Sequence, residues 1–219
     1  RSILLDGGCL DRDGLPGRAR GPMNEVRYWI ALVMICLIPG SLAWWFSLHP
    51  FISFWRRVGT VRTLVLNSAL VVLIAAAAAT HRGWLLAVEY GNHALPAAIG
   101  AGLLILALIF RRKVGAELRP STLVGLPELD PARRPQPLLT TGPFAIVRHP
   151  RYLQLLLANF GWAFLANYLA LYLLAAASVA VVWLLVRLEE AELSRRFGAE
   201  WSAYASRVPR FIPSFRNPR

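Results

Sequence analysis

YLQLLLANFGWAFLANYLALYLLAAASVAVVWLLV, Tyr152 to Val186, runs for 35 residues without a charged side chain. A membrane-spanning helix needs roughly 20 mostly apolar residues. The run is therefore too long for one span and barely long enough for two. Asn167 sits near its middle, and asparagine suits a reversal of the chain. The stretch predicts a tight helical hairpin with its tip near Asn167. Its two helices should run past the membrane at their other ends.

Three further charge-free stretches precede it: Tyr28 to Leu48, Thr63 to Thr80, and Leu95 to Phe110. The first two fit one span each, and the third reaches that length with the uncharged residues 91–94. With 219 residues, 56% of them hydrophobic and only 16% charged, the chain has no room for a separate soluble domain. The expected fold is an all-α integral membrane protein with about five transmembrane helices. Its last two form the hairpin, and a cytoplasmic C-terminal helix follows.

The net charge of +12 suggests a nucleic-acid partner at first sight, but its placement argues otherwise. The loop 49–62 carries three Arg and no acid, and the loop 111–151 has eight Lys/Arg against three acids. The tail 187–219 has seven Arg against four acids, whereas the loop 81–94 balances Arg82 with Glu89. Cytoplasmic loops of membrane proteins collect Lys and Arg. The alternation predicts an outside N-terminus and a cytoplasmic C-terminus, with the basic excess also drawing anionic lipid. No nucleic-acid partner is expected. The compact length hints at a bacterial inner membrane.

Residues 1–22 have mixed charge, many turn formers and no signal-peptide-like apolar run. They read as a disordered or non-native tail ahead of Met23. Residues 23–110 read as three transmembrane helices, and 111–219 as a cytoplasmic loop, the hairpin and a tail that together form the functional site. Cys9 and Cys36 lie too far apart in context to predict a disulfide, and no metal-ligand spacing exists. Pro39-Gly40 predicts a kink in the first helix. FISFWRRVGTVR, residues 51–62, reads as an interfacial segment. Small residues at Ala75 to Ala79 and in IGAGLL suggest close helix packing. The loop holds Pro120, Pro127, Pro131, Pro135, Pro137, Pro143 and Pro150, so it cannot be one helix. The tail should continue the last helix, with Leu188, Leu193, Phe197 and Trp201 as an apolar stripe, until Pro209 and Pro213 end it.

Two polar clusters bracket the hairpin. Arg148, His149 and Tyr152 stand at its start; Arg187, Glu189 and Glu190 stand at its end. A hairpin returns to the side it left, so the clusters should meet on one face of the membrane. A carboxylate pair there needs partners, and a ligand with a cation or a diol would suit it.

TTGPFAIVRHPRYL, then Asn167, then EEAELSRRFGAEWSAYASRVPRFIP, resembles the isoprenylcysteine carboxyl methyltransferase family. That family belongs to a wider membrane group that includes phospholipid N-methyltransferases. The resemblance covers about the C-terminal 80 residues, and its two motifs are specific as a pair. It implies an enzyme that moves a methyl group from S-adenosylmethionine to a lipophilic acceptor, leaving S-adenosylhomocysteine. It implies cofactor binding by Gly142, Arg148, His149, Tyr152, Glu189 and Glu190, and acceptor-side roles for Arg187 and Asn167. The acceptor could be an isoprenylcysteine-like carboxylate or a phospholipid amine. The family pattern has glycine where Gln154 stands, which points to Gln154 as a substrate contact. A nicotinamide-dependent reductase on the same fold, and a non-catalytic scaffold or transporter subunit, are the rival readings. Oligomeric state is open.

Overall fold

The computed structural model describes residues 21–118, 125–130 and 137–212. The expected N-terminal tail up to residue 20, and the loop prolines Pro120, Pro131 and Pro135, lie outside them. Among the described residues the architecture is all-helical. The main helices are α1 (Pro22–Leu48), α2 (Ile52–Val58), α3 (Thr60–Thr80), α4 (Ala94–Glu117), α5 (Pro150–Ala166), α6 (Leu169–Phe197) and α7 (Ala199–Arg207). Single turns at Arg82–Leu85 and Leu126–Leu129, and a 3-10 turn at Gly142–Ala145, punctuate the connections.

Four helices, α1, α3, α4 and α6, are long and apolar enough to cross a membrane. The sequence predicts five such helices. The fifth, α5, has 17 residues and is about 25 Å long at 1.5 Å per residue. It is short because Pro150 starts it and Asn167 stops it. Proline at the first helical position costs no hydrogen bond there. Asn167 adopts the left-handed conformation, φ 61° and ψ 48°, which asparagine tolerates better than most residues.

The hairpin α5–α6 is the centre of the bundle: α4 and α1 pack on α5, and α1 also packs on α6 and α3. Gly100 and Gly161 make the α4–α5 crossing close. A Cβ on Gly100 would stand 2.7 Å from the Leu165 backbone nitrogen, and one on Gly161 would stand 2.8 Å from Leu104. This is the small-residue packing expected of IGAGLL. Gly40 meets Val71 in the same way. The helix α1 runs unbroken through Pro39. Its core face, Ala31, Ile35, Ile38 and Leu42, is buried against the hairpin.

The two ends of the bundle differ. One end gathers the start of α1, the connection 81–93 and the hairpin tip. Buried Arg27 donates through Nε to the Ala166 carbonyl at 2.9 Å, and Tyr168 donates to Glu89 at 2.8 Å. Glu89 and Tyr168 also form an isolated antiparallel bridge. The other end gathers the end of α1, α2, the 142–151 segment, the end of α6, and α7. The expected interfacial segment is helical as α2, and its Arg56 pairs with Glu192 at 3.7 Å.

Two departures from the sequence reading shape that end. The helix α4 outlasts its apolar stretch through Arg111, Arg112 and Lys113, all good helix formers. The tail is not one helix. It breaks at Gly198, φ 52° and ψ −118°, a conformation glycine adopts at low cost. The break turns α7 so that Trp201 and Tyr204 become buried.

Candidate functional site

The motif Arg148-His149 is held from behind by the tail. Pro209 cannot extend a helix, and α7 ends at Arg207 with Val208 in an extended conformation. The Arg148 N–H donates to the Pro209 carbonyl at 2.8 Å, and the His149 N–H to the Arg210 carbonyl at 3.2 Å. Phe211 then lies against the His149 ring, with centroids 6.0 Å apart.

Glu190 is the hub. Its carboxylate receives the Arg210 guanidinium as a fork: Arg210 Nε lies 3.0 and 2.9 Å from the two oxygens, and Nη2 lies 2.6 Å from one. His149 Nε2 stands 3.1 Å from Glu190 Oε1, and Arg148 Nη2 stands 3.5 Å from the same oxygen. Two guanidinium groups and an imidazole thus converge on one buried carboxylate, as a buried charge requires. The hydrogen bond with Glu190 raises Arg210 above its ordinary value despite partial burial. Burial pushes the Tyr204 hydroxyl up to about 12, against the opposing charge of Arg148, so it stays a donor, to the Phe144 carbonyl at 2.7 Å.

Glu189 stands apart from this hub. His149 Nδ1 lies 3.8 Å from it, beyond hydrogen-bond range. Its Oε2 and the Nε of Arg148 are buried without a hydrogen-bond partner among the described residues. Both residues line a cleft of about 960 Å³ of empty space, part of it open to solvent. Aromatic walls come from Trp45, Phe144, Phe197 and Trp201, and the Arg148 guanidinium lies over Trp201, 5.7 Å from the ring centroid. Among the charged groups that line the cleft, Arg148 Nε and Glu189 Oε2 are a cationic donor and an anionic acceptor left without a hydrogen bond, a setting for a zwitterion.

The structure brings Arg148, His149, Tyr152 and Glu189 to the cleft, with Glu190 fixing Arg148 and His149 from beside it. Gly142 opens the turn before the motif at φ 57°, and its absent Cβ leaves room for the Glu117 carboxylate. The other three proposed residues lie elsewhere. Asn167 is at the opposite end of α5, donating to the Gly91 carbonyl at 2.9 Å and accepting from Tyr172 at 2.9 Å. Arg187 is exposed and lies over Trp183, 4.8 Å from the ring centroid. Gln154 is half-buried on α5 and does not line the cleft.

Sequence reasoning missed Arg210 and His49. Arg210 follows Pro209, which ends the helical pattern, and that stop is the sequence signal that the chain turns away from α7 there. His49 follows the first apolar stretch, so parity of the spans places it at the same end as the motif.

A bundle of apolar helices with a polar cleft at one end fits an integral membrane protein. Residues 96–200 match the family model of phospholipid methyltransferase. That match is consistent with the isoprenylcysteine and phospholipid methyltransferase group of membrane methyltransferases. The match takes in α4, the hairpin and the motif, and it leaves α1 outside. No curated protein and no solved structure matches the chain.

Proposed function

We propose that the protein transfers a methyl group from S-adenosylmethionine to a lipophilic acceptor at the cytoplasmic face of a membrane. The observation that carries this reading is the pair of buried, unpartnered atoms, Arg148 Nε and Glu189 Oε2, in one cleft. An unpaired buried polar group is costly, and a ligand that satisfies it recovers that cost. The methionine moiety has a carboxylate for Arg148 and an ammonium for Glu189. Aromatic walls at Trp201 and Phe197 suit the adenine. These residues fit the cofactor, which supplies, when bound, a methyl group on a sulfonium leaving group.

The chain's own contribution is then placement. Glu190, clamped by Arg210, holds Arg148 and His149 in register. Well-oriented reactants gain up to roughly 7–11 kcal/mol over free encounter. Asn167, Arg187 and Gln154 take no part in this version of the site. The topology that goes with it counts α5 as a fifth, short span, with the N-terminus outside and α7 on the cytoplasmic side. The soluble cofactor reaches the cleft from the cytosol, and the acceptor reaches it from the bilayer.

Calorimetric titration of the purified protein with S-adenosylmethionine and S-adenosylhomocysteine tests this reading. Binding of both at one site is the expected result. Binding of neither by folded protein overturns it.

A further inference from the structure

The cleft has a wall that the cofactor reading does not use. It comes from the end of α1, outside the family-matched segment. His49 follows α1 directly, in helical conformation. Its ring stacks on Trp45, with centroids 5.3 Å apart and planes 26° apart. Its Nε2 lies 3.4 Å from the Tyr152 hydroxyl, joining residues 103 positions apart. The Tyr152 ring in turn lies alongside that of His149, with centroids 6.0 Å apart. Tyr152 therefore bridges from the proposed cofactor side of the cleft to an imidazole on α1.

An imidazole–phenol pair is chemically informative because the two candidate acceptors differ in one respect. A carboxylate is ionised at neutral pH and already has its lone pair free. An alkylamine has an ordinary pKa near 10, so it is protonated and has no lone pair until it loses a proton. A cleft built only for a carboxylate needs cations, and Arg148, Arg151 and Arg196 already line it. It has no use for a group that takes up protons near neutral pH, which is what histidine is.

We propose that His49, acting through the Tyr152 hydroxyl, takes the proton that the methyl acceptor sheds, so that the acceptor is an amine rather than a carboxylate. This rests on the methyltransferase reading. The Tyr152 oxygen takes a proton from the acceptor's ammonium as its own proton passes to Nε2 of neutral His49. The freed nitrogen lone pair forms the bond to the methyl carbon. The carbon–sulfur bond breaks with its electron pair left on sulfur, giving a neutral thioether. The imidazolium of His49 returns its proton to water at the open mouth of the cleft. His49 is a positioning and relay residue; Tyr152 is the group that touches the acceptor.

The charged groups that share the cleft with His49 are Arg148, His149 and Arg151 from the motif, and Glu189, Glu192 and Arg196 from α6. Arg151 lies over the Trp45 ring at 4.3 Å, and Arg56 of α2 pairs with Glu192.

The test uses the full chain in vesicles that hold both phosphatidylethanolamine and a prenylated cysteine, with methyl-labelled S-adenosylmethionine. The wild-type chain should place base-stable label in the phosphatidylethanolamine. His49→Gln keeps a hydrogen-bonding side chain but cannot relay, and Tyr152→Phe keeps the ring but loses the hydroxyl. General-base contributions are typically about 10²–10⁴-fold, so each variant should lower kcat by at least about tenfold. The double variant should be no worse than the worse single one, because the pair acts as a unit. His49→Gln should lower kcat while S-adenosylhomocysteine affinity stays within about twofold of wild type. Losses that multiply, an unchanged kcat, or a loss of S-adenosylhomocysteine affinity in His49→Gln would overturn the relay. So would base-labile label on the prenylcysteine, or no label in either lipid while the donor binds. Failure of the wild-type chain to bind donor or product overturns the methyltransferase reading itself.

Discussion

The two ends of the α5–α6 hairpin carry similar side chains and use them differently. At the tip, Arg27 donates to the Ala166 carbonyl and to Asn24, Tyr168 to Glu89, Tyr172 to Asn167, and Asn167 to Gly91. That network closes on itself. At the motif end, the Glu190 hub is also closed, but it holds Arg148 and His149 beside a cleft where Arg148 Nε and Glu189 Oε2 are left over. A satisfied buried network fixes a fold; one with leftover atoms in a cavity marks where a ligand completes it. The same contrast separates Asn167 from the site. A helix of about 25 Å stands between it and the cleft.

Substitutions at the two ends should separate stability from cofactor affinity. The largest effect belongs to Glu190→Ala, which leaves Arg148, His149 and Arg210 without their anion. Breaking a buried charge network costs about 3–5 kcal/mol, here at the low end because the Arg210 side chain is 43% exposed. Denaturation in detergent should show that loss, and S-adenosylhomocysteine affinity should fall more than tenfold. Next is Arg27→Ala, which strips the Ala166 carbonyl of a donor. It should cost about 1–3 kcal/mol in the same denaturation assay, with cofactor affinity within about twofold of wild type. A large loss of affinity there would erase the contrast between the ends.

His149→Ala inverts that pattern. Calorimetry should show affinity reduced more than tenfold, or ~1.4 kcal/mol, with a smaller stability loss than Glu190→Ala gives because Arg210 still pairs with Glu190. The smallest effect is Gly142→Ala. Its φ of 57° suits glycine, and a Cβ would stand 2.6 Å from the Glu117 carboxylate. That carboxylate is the end of a flexible side chain and can swing aside, so the strain is about 1–2 kcal/mol. It should appear as a modest loss of cofactor affinity through the displaced turn.

Charge-free stretches made the long helices legible, and the length of the last one exposed the hairpin and its tip at Asn167. Parity then placed Arg148, His149, Glu189 and Glu190 at one end, where the structure has them. What stayed hidden depends on contacts with no period in the sequence. Arg210 clasps Glu190 from 20 residues away. His49 meets Tyr152 across 103. The break at Gly198 is a lone glycine between helix formers, a pattern that an unbroken helix also tolerates. Asn167 was legible as a turn; its position far from the cleft follows only once the length of α5 is known.

Ultraviolet cross-linking of radiolabelled S-adenosylmethionine to the full chain, followed by peptide mapping, tests the central claim most directly. Label should fall on peptides from 142–152 and 187–204, and excess S-adenosylhomocysteine should suppress it. Suppressible label on the tip peptides around 86–91 and 163–172 would contradict the account.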